Sequence, residues 1–303
     1  MNRTIWLASY PKSGNTWMRM LIANLSAGDK PADINDLPGY SDIASARQPF
    51  DHVTLIDSGL LTHEELDRLR PRVYEELRRR TPEVLYDEQR EAPPVRFVKC
   101  HDAYTHRPHG EPLLGGADGA DGAIVIVRDP RDVAPSLANH NRSTIDAAID
   151  FMNDGAAMFC GGTGRQAHQL RQRLLGWSGH TQSWLAQSDI PVHLVRYEDL
   201  KADTAATLRR ALTFAGRIAS DEEIARAVAH ADFSEMQRQE VAAGFREAPP
   251  NIGAGFFRRG EAGAWRDELT SGQVARIEAA HAPMMRSIGY ALSSGEATAR
   301  ACA

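Results

Sequence analysis

The chain is 303 residues long with 42% hydrophobic and 25% charged residues, a balance that excludes collagen, coiled coil and disorder and leaves room for a large α/β core. A formal net charge of −5 argues against a general nucleic-acid binder, so an anionic ligand has to be caught by a local cluster of cations. Apolar runs at residues 5–8 and 123–127 are too short for a secretion signal or for the ~18 residues of a membrane helix, which predicts a cytoplasmic protein without a membrane partner.

Short Ile- and Val-rich runs bounded by turn formers predict strands at residues 4–9, 95–99, 123–128 and 192–197. Apolar residues at helical spacing predict helices at 16–25, 62–80, 130–139, 166–187 and 204–215, and a last one within 267–292. Residues 110–122 read as a surface loop, 152–164 as a loose Gly-rich stretch, 239–257 as a lid-like loop and 294–303 as a frayed tail. Strands alternating with helices predict a single α/β domain over residues 1–293. Its central parallel sheet is flanked by helices and binds ligands at the carboxyl ends of the strands.

Each predicted strand does end in ligand-capable residues. The first runs into Tyr10-Pro11-Lys12-Ser13-Gly14-Asn15-Thr16-Trp17. Here Gly14 permits a tight turn, the amides of a helix N-terminus face outward, Lys12 adds a charge, and Ser13 and Thr16 add hydroxyls. That is an anion cradle, though not a Walker A loop, because the lysine precedes the glycine. The second strand ends in Lys99-Cys100-His101-Asp102. At a period of two, Lys99 and His101 share one side, poised over the same ligand, while Cys100 points to the other. The third leads into Arg128-Asp-Pro-Arg-Asp-Val-Ala-Pro-Ser136, where a guanidinium and a hydroxyl can converge on one phosphate. Three widely spaced cysteines and the pair His106 and His109, without a third ligand, give no disulfide framework and no metal site.

With these strings in this order, the chain resembles the cytosolic-type sulfotransferases that use 3′-phosphoadenosine 5′-phosphosulfate (PAPS), a family with a P-loop-like nucleotide-binding core. Residues 10–17 match its phosphosulfate loop except at Asn15, and residues 128–136 match its 3′-phosphate motif. Residues 258–266 match a third motif, with Arg259 for lysine and Ala264 for aspartate, and the second change leaves the anchoring of Trp265 unexplained.

The resemblance implies that Lys12, Ser13, Gly14, Asn15 and Thr16 hold the 5′-phosphosulfate, and that Arg128 and Ser136 hold the 3′-phosphate, with Arg258, Arg259 and Gly260 adding to phosphate binding. It places Trp17 against the adenine, Tyr197 at its edge and Phe233 opposite. It also implies that His101 is the general base, that Lys12 and Lys99 stabilise the leaving group, and that PAPS leaves as 3′,5′-bisphosphoadenosine (PAP) with no metal required. The acceptor implied is a small molecule, its pocket built from residues 28–72, 141–164 and 239–256, whose mix of polar and apolar residues does not select its chemical class. A homodimer is left open, since the family's short C-terminal dimer motif is not clear. A Mg²⁺-dependent nucleotide kinase with a degenerate phosphate loop, and a non-catalytic nucleotide-binding protein of the same fold, are the alternatives.

Overall fold

The computed structural model describes residues 3–37, 42–85, 95–163, 167–249, 252 and 255–293. The first half of the chain runs β1 (Arg3–Ser9), α1 (Asn15–Asn24), β2 (Asp42–Ile43), α2 (Arg47–Thr54), α3 (His63–Leu85), β3 (Val95–Cys100), α4 (Gly116–Gly119), β4 (Gly122–Val127) and α5 (Pro130–Asn141). It continues α6 (Ile145–Asn153), β5 (Met158–Phe159), β6 (Gln172–Arg173), α7 (Gly176–Ala186), β7 (Val192–Arg196) and α8 (Tyr197–Ala202). The remainder is helical: α9 (Thr204–Ala215), α10 (Asp221–His230), α11 (Phe233–Ala243), α12 (Trp265–Glu268) and α13 (Ser271–Ser287).

Five strands form one parallel sheet in the order β2-β3-β1-β4-β7. Alternation along the strands builds both faces of the core. Ile5, Leu7, Phe97, Ile124 and Ile126 face α1, α9 and α10 through Met18, Leu21, Leu208, Leu212 and Ile224. Trp6, Ala8, Val98, Val125 and Val127 face the other helical layer, where Val73, Leu137, Trp177, Trp184 and Ile277 close over them. The register then fixes the site. Ala8 lies beside both Cys100 and Val125, so the chain leaves β1, β3 and β4 at nearly the same height.

The predicted single α/β domain with a flanked parallel sheet is therefore the observed architecture, and its four main strands lie within a residue or so of their predicted bounds. Several connecting segments differ. The helix predicted from residue 166 begins at Gly176, because the preceding backbone is committed elsewhere: Leu170 N bonds Ser45 O, Leu174 N bonds Ala157 O, and Gln172–Arg173 pairs with β5. Leu175 and Gly176 then take positive φ, which separates this hairpin from α7. The stretch predicted loose at 152–164 ends α6 and contains β5, and the loop predicted at 239–257 opens with the last turn of α11. The last predicted helix divides into α12 and α13, where Thr270 forms a capping box with Gln273. The edge strand β2 falls in a segment where the sequence shows no strand signal. The predicted frayed tail, 294–303, lies outside the described residues. Among the described residues no helix is long and apolar enough to cross a membrane.

Candidate active site

One cleft of about 1220 Å³, solvent at its mouth included, lies over the carboxyl ends of β1, β3 and β4. On the β1 side the backbone turns sharply: Lys12 has φ +68° and Gly14 φ +103°. Gly14 precedes α1 without any side-chain cap, so the first helical amides face the cleft as donors. A Cβ on Gly14 would come within 2.6 Å of the Tyr197 ring, so glycine is needed for space as well as for conformation. Thr16 and Trp17 line the cleft. Asn15 braces the loop from behind, its Nδ2 donating to Leu7 O at 2.8 Å and to Ser9 Oγ at 3.2 Å. Ser13 is buried, its hydroxyl has no hydrogen-bond partner among the described residues, and it does not line the cleft. Lys12 Nζ sits 3.4 Å from the centre of the Phe256 ring. Burial, then the nearby Lys99 and Arg128 charges, bring its pKa down to about 7, against the pull of Glu240 and Glu247.

At the end of β3, Lys99 and His101 both line the cleft while Cys100 is buried in the core. His101 Nδ1 lies 2.8 Å from the Ser9 carbonyl oxygen. A carbonyl can only accept, so Nδ1 carries the proton and Nε2 keeps its lone pair. Burial, reinforced by Lys99, holds the imidazole well below its usual pKa, hence neutral. The next residue, Asp102, is fully buried and takes Arg70 NH2 at 2.6 Å, which pins the strand end. Lys99 Nζ meets Glu247 Oε2 at 2.7 Å, and Arg19 holds the other oxygen of that carboxylate at 2.6 Å.

At the end of β4, Arg128 NH2 donates to Glu261 O at 2.7 Å, and its guanidinium lies 4.6 Å from the Tyr197 ring centre. Its buried Nε has no hydrogen-bond partner among the described residues. Ser136, two turns into α5, faces the same cleft. Arg258 and Arg259 line it too, but with their charge offset. Arg258 forks onto Glu268 at 2.5 and 2.9 Å, and Arg259 lies 3.1 Å from Glu261. Tyr197 donates to Gly260 O at 2.9 Å, and a Cβ on Gly260 would run into the Phe233 ring. Trp17 is turned edge-on to Tyr197, with its Nε1 tied to Ala231 O at 2.9 Å. Asp132 replaces the missing aspartate anchor: its two oxygens accept from Gly263 N at 2.6 Å and Trp265 N at 2.8 Å.

Fourteen of the fifteen residues singled out from sequence thus share this cleft, and Ser13 lies just outside its lining. The opposite wall is made by Glu247, Phe256, Phe159, His140, Gln169 and Gln172; the first three fall in segments 141–164 and 239–256 that the sequence assigned to the acceptor side, but none of the six was singled out as a residue. No motif signals these residues, which come from four separated stretches. Burial, with Lys12 and Lys99 nearby, drives the His140 pKa down to about 3, and its ring stands beside Phe159 and Phe256.

A family model described as the sulfotransferase domain matches residues 2–289. Rat sulfotransferase 1A1 is 25% identical over 94% of this chain and 87% of its own length. Cytosolic sulfotransferase 16 of Arabidopsis thaliana is 27% identical over 90% of this chain and 73% of its own. The crystal structure of mouse sulfotransferase SULT7A1 complexed with PAP superposes with a TM-score of 0.57 at 21% identity, covering 94% of this chain and 85% of that one.

Proposed function

The chain belongs to the sulfotransferase domain family, and we propose that it moves a sulfuryl group from PAPS to a hydroxyl of a small-molecule acceptor, with His101, Lys12 and Lys99 at the reacting centre. The observation that carries this reading is the convergence of a neutral histidine, two ammonium groups and a helix N-terminus in one cleft. The residues fit a nucleotide with two anionic ends. The amides of α1 with Lys12 and Thr16 form one pole; Arg128, with an unpartnered Nε, and Ser136 form the other. Trp17 and Phe233 supply aromatic faces for a purine between them.

PAPS supplies the sulfuryl group, its bond to the bridging phosphate oxygen breaking as the acceptor oxygen bonds to sulfur. His101 Nε2 takes the acceptor proton, since Nδ1 is already committed to Ser9. Lys12 and Lys99 oppose the negative charge that grows on the departing oxygen, so they act most strongly in the transition state. Negative charge entering this end of the cleft offsets the Lys99 field that lowers the His101 pKa, and so strengthens the base when it is needed. A diffusible acceptor and cytoplasmic residence agree with the cytosolic sulfotransferase among the relatives.

The test is incubation with PAPS and a panel of phenols, alcohols and amines, with mass detection of the added sulfuryl group. Sulfated product formed only with PAPS is expected. Tight PAP binding without product on any acceptor would overturn the enzyme reading in favour of a nucleotide-binding protein.

A further inference from the structure

We propose that Glu247 is a positioning residue for sulfuryl transfer: its carboxylate, fixed on one side by Arg19, holds the Lys99 ammonium at the reacting centre. The inference rests on the role assigned above to Lys99 and adds a residue that belongs to none of the recognised motifs.

Lysine carries its charge on a flexible four-carbon stem, so its placement depends on a partner. Here each carboxylate oxygen is used once, Oε1 by Arg19 at 2.6 Å and Oε2 by Lys99 at 2.7 Å. Surface ion pairs are worth little, but these side chains are only 3% exposed for Arg19, 11% for Lys99 and 20% for Glu247, so screening is weak. One anion between two cations leaves a net positive charge at this wall, and the Arg19 contact keeps the carboxylate from following Lys99 out of place.

The three residues that lead into Glu247 are fastened in place. Arg246 N donates to Asn35 Oδ1 at 2.7 Å, and Asn35 Nδ2 returns to Gly244 O at 2.9 Å. Phe245 packs on the Phe256 and Phe257 rings at 4.8 and 5.3 Å. A segment outside the nucleotide motifs therefore sets the position of a charge that acts on the leaving group.

The charged and titratable groups around Lys99 are Glu247, Arg19, Lys12 and His101. Burial lowers the Lys99 pKa and Arg19 adds to that, while Glu247 alone among these neighbours raises it. Burial also opposes the charge on Glu247, but Lys99 and Arg19 outweigh it and hold the carboxyl at about 2, ionised at every working pH. Removing this carboxylate lowers the Lys99 pKa further. The rate, which requires charged Lys99, is then lost at lower pH as pH rises.

Glu247→Gln tests the proposal. The expected result is a kcat about tenfold or more below wild type at pH 8. Its alkaline limb should shift to lower pH while PAP affinity, read below pH 7 where Lys12 is charged, stays within about threefold, and Glu247→Asp should recover part of the loss. In a Lys99→Met background, Glu247→Gln should change kcat by less than about threefold. An unmoved alkaline limb, an unchanged kcat, or a full additional loss on top of Lys99→Met would each overturn the positioning role and leave the catalytic reading standing. Full turnover by Lys99→Met alone would instead overturn the catalytic reading of Lys99, and this proposal with it. Should Glu247→Gln fail to fold, Glu247→Asp read against Lys99→Met supplies the same comparison.

Discussion

The two walls of the cleft are built in opposite ways. The nucleotide-facing wall is built chiefly from the chain at and just after the ends of β1, β3 and β4, its key donors being backbone amides and side chains from Lys99, within β3, to Ser136, nine residues past β4. The opposite wall is made of side chains brought from afar. Glu240 fixes Phe256 N and Phe257 N at 2.6 and 2.9 Å, and Ser45 and Gln172 both donate to Gln169 Oε1, at 2.8 and 3.0 Å. A wall shaped by main-chain geometry can stay fixed while the facing wall changes its side chains, so one donor can serve many acceptors.

The most direct way to break this division of labour is His101→Ala. Turnover should fall by about 10²–10⁴-fold with PAP affinity retained within about threefold. Single-turnover kinetics beside calorimetry measures both, and a parallel fall in affinity would erase the distinction between binding and chemistry. Arg128→Ala should cost about 10–100-fold in PAP affinity, the scale of a charge-assisted hydrogen bond, and leave AMP affinity nearly as it was. Equal losses for PAP and AMP would remove Arg128 from the 3′-phosphate end.

The smallest effect expected comes from pH. Lys12, at about 7 in the free protein, must be charged to hold an anion. PAP affinity is then complete below pH 7 and declines by up to about tenfold per unit above it, with proton uptake on binding. His101 works in the opposite sense. It must be neutral, and its lowered pKa keeps it so beneath 6.5, so kcat/KM should show no acid limb near that value. An acid limb at 6.5 would mean that His101 is more exposed in solution than in this structure.

The same contrast explains what could be read in advance. The strands were legible because a buried parallel sheet demands continuous Ile and Val, and the phosphate loop because its geometry requires Lys12, Gly14 and Thr16 in one string. Glu247 was not legible, since nothing near it in sequence indicates that Lys99 lies 2.7 Å away. The failed start of α7 has a related cause: residues 169–174 have helical periodicity, but partners at Ser45 and Ala157 claimed their backbone. Ala264 misled in a third way, because Asp132 on α5 supplied the carboxylate its motif lacks.

The hydrogen bond that orients His101 ends on Ser9 O, an atom of the peptide unit. Many histidine bases are oriented by an acid that can be mutated or protonated away, whereas every amino acid encoded at position 9 would still present this oxygen. The imidazole therefore has an orienting partner that no codon change can delete and that does not titrate between mildly acid and mildly alkaline media. Substitutions that disorient this base should strike the ring itself or the sheet register beneath it.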